Sequence, residues 1–161
     1  MDPVACRDHL DKLIAEESNT LEQLQTLLDR EHELLVANDV EALDRAAQAR
    51  QNCIGTLLRI EDERKSLCRA LNVPADMHGL DRILAWCDPS KQLRLRWKQL
   101  GERASRCRSA NDRNGALVTA RLNRVQGMLD VVTGRADQPK VYGRQGAFQN
   151  QPRTGRVLVS V

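Results

Sequence analysis

Six apolar residues near the start of this chain, Leu10, Ile14, Leu21, Leu24, Leu28 and Leu35, recur at steps of three, four and seven. That spacing puts them on one face of a helix and marks helices that pack side by side. Leu13, Leu27 and Leu34 widen the stripe. A second seam follows at Leu43, Ala46, Cys53, Leu57, Ile60, Leu67 and Leu71. Composition agrees with the pattern. Aromatic residues are only 2% of the 161, namely Trp86, Trp97, Tyr142 and Phe148, whereas sheets draw on aromatic and β-branched side chains. The scarcity also argues against a base-stacking surface for single-stranded nucleic acid. The predicted class is all-α.

Punctuation divides the chain. Asp2-Pro3 predicts a cap followed by the first helical turn, where proline loses nothing by lacking an N–H. Asn38-Asp39 ends that helix and caps the next, which is expected from about Val40 to Leu71. So short a turn forces a long antiparallel hairpin. Asn72 to Gly79 reads as a connector, punctuated by Pro74 and Gly79. A short helix is expected from about Leu80 to Cys87, with Leu80, Ile83, Leu84 and Trp86 plugging the end of the hairpin. Asp88-Pro89 repeats the opening device and predicts a long helix from about Pro89 to Val132, stopped at Gly134. Its seam runs through Leu93, Trp97, Leu100, Ala104, Cys107, Asn111, Asn114, Val118, Val125, Leu129 and Val132, with Leu122 beside it. Gly101 and Gly115 fall within it, and close approach of a neighbouring helix is the expected reason. The helical bundle domain is therefore residues 1–134.

Polar residues interrupt both hairpin seams at equal intervals, Glu17 and Glu31 in the first and Arg50 and Arg64 in the second. Facing residues of an antiparallel pair share a constant index sum, and Glu31 with Arg50 and Glu17 with Arg64 satisfy it. Either these are two cross-helix ion pairs that fix the register, or all four sit at the solvated edge of the interface.

Charge is unevenly distributed. Residues 1–71 carry 15 acidic and 9 basic side chains, residues 72–134 carry 6 and 11, and residues 135–161 carry 1 and 5. Arginines and lysines from Arg94 to Arg124 encircle the last helix instead of forming one stripe. Neutralisation by the acidic hairpin explains them as well as phosphate binding does, and no nucleic-acid partner is expected. The five cysteines, Cys6, Cys53, Cys68, Cys87 and Cys107, are odd in number and form no C-x-x-C. They read as buried, reduced thiols of a cytosolic protein. The charged residues 1–12 are not expected to act as a secretory leader, and no run approaches the ~20 apolar residues that cross a bilayer. His9, His32 and His78 lack metal-ligand spacing, and no phosphate-binding glycine loop or nucleophile elbow occurs. No metal, cofactor or enzymatic activity is expected.

Residues 135–161 form a basic segment with Pro139, Gly143, Gly146, Pro152 and Gly155, which exclude a long helix. A flexible tail is expected. Its isolated apolar residues, Val141, Tyr142, Phe148 and Val157 to Val159, are either anchors that order on binding or parts of a frayed terminus.

Two segments carry a resemblance. Asn111-Asp112-Arg113-Asn114-Gly115-Ala116-Leu117-Val118 resembles the N-x-x-N-G-x-L-I/V segment of flagellar export chaperones of the FlgN family. Tyr142-Gly143-Arg144-Gln145-Gly146 is similar to their Y-G/D-x-x-G segment. The stretch ELLVANDVEALDRAAQAR also resembles their leucine-rich hairpin turn. The resemblance implies a cytoplasmic type III export chaperone. It would bind the C-terminal helices of hook–filament junction proteins, prevent premature assembly, and deliver them to the cytoplasmic domain of the export gate. Asn111, Asn114, Leu117, Val118, Leu122 and Val125 are the expected client-binding residues. The two asparagines have a competing use in setting helix register. Tyr142, Gly143 and Gly146 are the expected gate-docking residues. A generic helical adaptor that self-assembles into a homo-oligomer through the same open seam is the alternative, and a nucleic-acid binder acting through the basic last helix is a third, less favoured one.

Overall fold

The computed structural model describes residues 1–134 and the backbone of Val141–Tyr142 and Phe148–Gln149. Its elements are α1 (Pro3–Ala37), α2 (Val40–Ala70), α3 (Met77–Cys87), α4 (Gln92–Val132), β1 (Val141–Tyr142) and β2 (Phe148–Gln149). The strands form a two-residue antiparallel ladder pairing Val141 with Gln149 and Tyr142 with Phe148. The chain divides into two compact units, Met1–Val118 and Thr119–Val161. The protein is all-α with a long helical hairpin, as the leucine spacing predicts. The expectation of a flexible tail falls outside the described residues.

In the first unit the hairpin begins and turns where its caps stand. Asp2 accepts the Ala5 N–H at 2.9 Å with Pro3 opening the helix. Asn38 takes the left-handed conformation at φ 59° and closes α1, and Asp39 accepts the Ala42 N–H at 3.1 Å to open α2. Asparagine tolerates that backbone better than other side chains, which suits it to this two-residue link.

Two apolar clusters hold the unit together. At the α3 end, Cys6, Leu10 and Ile14 of α1 and Leu67 and Cys68 of α2 meet Leu80, Ile83, Leu84 and Cys87 of α3 and Leu93 of α4. Farther along, Leu21, Leu24 and Leu28 meet Cys53 of α2 and Leu100, Cys107 and Ala110 of α4. Each fully buried leucine or isoleucine contributes roughly 1.5–3 kcal/mol relative to exposure. Across the hairpin, Arg64 pairs with Glu17, and Arg50 lies 3.1 Å from Glu31. Both are cross-helix ion pairs in the register that the equal intervals predict. The Arg64 guanidinium also lies 4.7 Å from the centre of the Trp97 ring.

The ion pairs Asp11–Arg96, Glu22–Arg103 and Asp29–Arg113 occur in the same order along α1 and α4, so these two helices run parallel. The acidic hairpin thus does neutralise part of the basic last helix. These pairs are exposed, and each adds only about 0–1 kcal/mol.

Four local expectations are corrected. The short helix begins at Met77, not Leu80. Asp76 caps it through the Gly79 N–H at 2.9 Å, so Gly79 lies inside the helix, where a Cβ would stand 1.8 Å from the Pro74 carbonyl oxygen. Gly79 is required by backbone approach, not as a breaker.

The last helix begins at Gln92, not Pro89. Asp88 closes α3, the chain turns through Lys91 at φ 58°, and the buried Asp88 carboxylate reaches forward to accept the Arg94 N–H at 3.2 Å and the Ser90 hydroxyl at 2.9 Å. Burial opposes its ionisation. The N–H groups of Arg94, Leu93 and Gln92 and the Ser90 hydroxyl outweigh burial and hold the carboxyl below the usual range.

Trp86 does not plug the hairpin. It is 47% exposed, and Leu80, Ile83 and Leu84 do that work. Among the described residues, Gly101 and Gly115 have nothing within 4 Å of where a Cβ would stand, so no described helix requires them.

In the second unit, α4 continues to Val132. The Thr133 hydroxyl donates to the Leu129 carbonyl at 2.8 Å, and Gly134 takes φ 70° at the predicted stop. Among the described residues, no helix is long and apolar enough to cross a membrane.

Candidate functional site

The motif asparagines belong to a polar layer of the first unit. Asn114 is 5% exposed. Its amide N–H donates to the Leu28 carbonyl at 2.8 Å, and its Oδ1 lies 3.1 Å from His32 Nδ1. The amide nitrogen is committed to a carbonyl, so Oδ1 is the acceptor and His32 Nδ1 carries the proton. Asn111 is exposed, and its Oδ1 accepts from Arg50 Nη1 at 3.4 Å. Arg50 in turn faces the buried Glu31. Their closest atoms, Arg50 Nε and Glu31 Oε1, are within ion-pair distance but misaligned for a hydrogen bond, so the attraction there is mainly Coulombic. One layer therefore joins α1 to α2, α2 to α4 and α4 to α1. Such a layer fixes axial register, because sliding any helix strands a buried polar group at ~1–3 kcal/mol.

The apolar expectations divide differently. Leu117 is half-buried and Val118 is exposed at the end of the first unit. In the second unit Leu122 and Val125 are each more than half exposed. Leu129 and Val132 continue their row at heptad steps and are as open, with Met128 and Val131 exposed beside them. The sequence placed Leu129 and Val132 on the seam without marking them as binding residues. Their unbroken four-three spacing was the available signal. Scattered exposed apolar residues are ordinary, whereas a row at heptad steps is the half-interface of a helix pair.

Tyr142 contributes backbone to β1, and Gly143 and Gly146 lie outside the described residues. Among the described residues, no group of three or more histidine, cysteine or acidic side chains is arranged to hold a metal ion. The cysteines are reduced and buried. Burial, reinforced by the neighbouring Cys87, pushes the Cys6 thiol up to about 12.

Fold and site define a helical-bundle protein that offers a row of apolar side chains on a long final helix. The comparisons with known proteins narrow this class. The family described as FlgN protein matches residues 6–150. The chain is 24% identical over 149 residues to the flagella synthesis protein FlgN of Salmonella typhimurium, covering 92% of this chain and 96% of that protein. The protein of the same name from Salmonella typhi gives the same figures. A crystal structure of a putative flagella synthesis protein from Pseudomonas aeruginosa is 31% identical, with a TM-score of 0.62 over 68% of this chain and 86% of that one. This chain belongs to the FlgN family.

Proposed function

We propose that this chain acts in flagellar assembly as a cytoplasmic type III export chaperone. It binds the C-terminal helices of hook–filament junction proteins, keeps them from assembling prematurely, and hands them to the export gate. The observation that carries the reading is the exposed row Leu122, Val125, Leu129 and Val132 on α4. Client segments of this kind are amphipathic helices that self-associate when left uncovered. A helix bearing an open apolar row can shield one as an added helix, by surface complementarity and without chemistry.

The energetics require an extended contact. Complete burial of each such side chain is worth roughly 1.5–3 kcal/mol. Association costs about 4–15 kcal/mol, so the client must cover several of them at once. Leu117 and Val118, in the first unit, are further client-contacting residues. Asn111 and Asn114 serve it by holding the register of the bundle that carries it. Tyr142, Gly143 and Gly146 dock the loaded chaperone at the gate.

Co-expression with the C-terminal segment of a junction protein, followed by size-exclusion chromatography with mass measurement, tests the reading. A soluble complex of defined stoichiometry is expected. It is lost when Leu122 and Val125 are made glutamate while the helical circular dichroism stays unchanged. If the segment passes through the column unbound, the chaperone reading fails. The same row can also pair two copies of this chain. A dimer mass without client that the glutamate variant reduces to monomer supports that second use.

A further inference from the structure

The α3 end of the first unit carries a pocket that the client-binding reading leaves unused. It measures about 310 Å³ and is lined by Leu71, Val73, Arg82, Ile83 and Trp86. Leu71 and Val73 pack onto the α3-end core and Ile83 is buried within it, so the floor is firm and aliphatic. Trp86, on the rim, is half-exposed, and its indole N–H has no acceptor among the described residues.

The charges around it are unequal in their commitments. From residue 72 to residue 91 the acidic side chains are Asp76, Asp81 and Asp88. Asp76 caps α3, Asp81 pairs with Arg94 at 3.5 Å, and Asp88 caps α4. Each is engaged inside the protein. Arg82 is exposed and has no ion-pair or hydrogen-bond partner among the described residues.

We propose that the Trp86–Arg82 pocket docks a short acidic peptide segment of a partner protein, one that seats a leucine-like side chain on the aliphatic floor and a carboxylate against Arg82. The features combine as binding hot spots do: a large rigid aromatic, an arginine, and an apolar depression that excludes water from the charge pair. The volume stands at the lower end of ligand sites, which run about 300–1,000 Å³, and suits a side-chain anchor with its neighbours better than a whole helix. A nucleic acid is the poorer fit, because its affinity comes from many phosphate contacts and the pocket supplies one free cation over an aliphatic floor.

The test uses the full chain labelled with nitrogen-15, in which the two tryptophans give two indole signals and Trp86→Phe identifies one. The probe is an acetylated, amidated five-residue peptide with two leucines flanked by aspartate and glutamate. The control peptide carries lysine in place of each acid. The acidic peptide is expected to shift the Trp86 indole saturably and leave Trp97 in place. Arg82→Glu should weaken it at least ~tenfold and let the lysine peptide shift Trp86 instead. Both side chains are on the surface, and an unchanged melting curve verifies that the variants fold.

An unmoved Trp86 signal, or equal response to the acidic and basic peptides, overturns the proposal. A Trp86 signal that moves on dilution of the protein alone also overturns it, in favour of a second copy as the occupant. Displacement of the peptide by inorganic phosphate at equal concentration would reduce the site to a simple anion contact and overturn the peptide assignment.

Discussion

The two stretches of α4 on either side of Val118 share the same apolar spacing and differ in what that spacing does. Before Val118, Leu93, Leu100, Cys107 and Ala110 are buried against α1, α2 and α3. After it, Leu122, Val125, Leu129 and Val132 remain open. Periodicity alone therefore specifies a face for packing without specifying whether the partner is in the same chain. The earlier stretch is also tied to α1 by Arg96, Arg103 and Arg113 and by the Asn114 amide.

The sharpest way to break the comparison is to cut into each stretch in turn. Leu100→Ala should cost about 2–5 kcal/mol, read by denaturant unfolding, because a cavity opens in the second cluster. Leu122→Ala should change stability by no more than ~0.5 kcal/mol, as at other open surface positions. Equal losses in the two variants would erase the distinction.

Next in size is the polar layer. Asn114→Ala should destabilise by about 1–3 kcal/mol, because the part-buried His32 ring N–H loses its acceptor and the second hydrogen bond to the Leu28 carbonyl is lost. Asn111→Ala, at an exposed contact, should cost far less in the same melt.

The start of α4 offers a pH test. The Asp88 carboxyl is held below its unfolded value, so its contribution is present above the unfolded carboxylate range and is lost as pH falls through the folded value. Asp88→Asn should cost about 0.5–2 kcal/mol at neutral pH. It should also flatten the acid side of the stability curve. An unchanged acid limb would mean that the cap does not depend on charge.

The smallest effect has the opposite sign. Gly115→Ala should stabilise the protein by about 0.5–1 kcal/mol, because the added methyl meets open space on a helical backbone. A loss instead would mean that something packs closely at Gly115 in solution.

Much of the fold is legible in the sequence because the rules that apply are local. Leucine spacing sets the hairpin, Asn38-Asp39 sets its turn, and the matched intervals of Glu17, Glu31, Arg50 and Arg64 give its register. The errors occur where a distant atom decides. Gly79 reads as punctuation, but the Pro74 carbonyl is what demands it. Asp88-Pro89 reads as a cap with its first turn, yet the carboxylate caps from farther upstream, across a left-handed Lys91 that no proline signal announces. At the site, the heptad row was visible, but its openness was not. Openness is a property of what fails to pack there, and a pattern of residues does not contain it. The engagement of Asn114 with Leu28 and His32 was hidden for the same reason, since it joins residues more than eighty positions apart.

The five cysteines give the molecule an internal stopwatch. Cys6, Cys68 and Cys87 are sealed at the α3 end, and Cys53 and Cys107 in the neighbouring cluster, with the Cys107 thiol donating to the Leu21 carbonyl at 3.3 Å. Burial raises the Cys6, Cys68, Cys87 and Cys107 thiols, so an alkylating reagent meets hardly any thiolate until a region opens. The order in which the native sulfurs react would then reveal which end of the bundle breathes first, with no foreign probe in the chain.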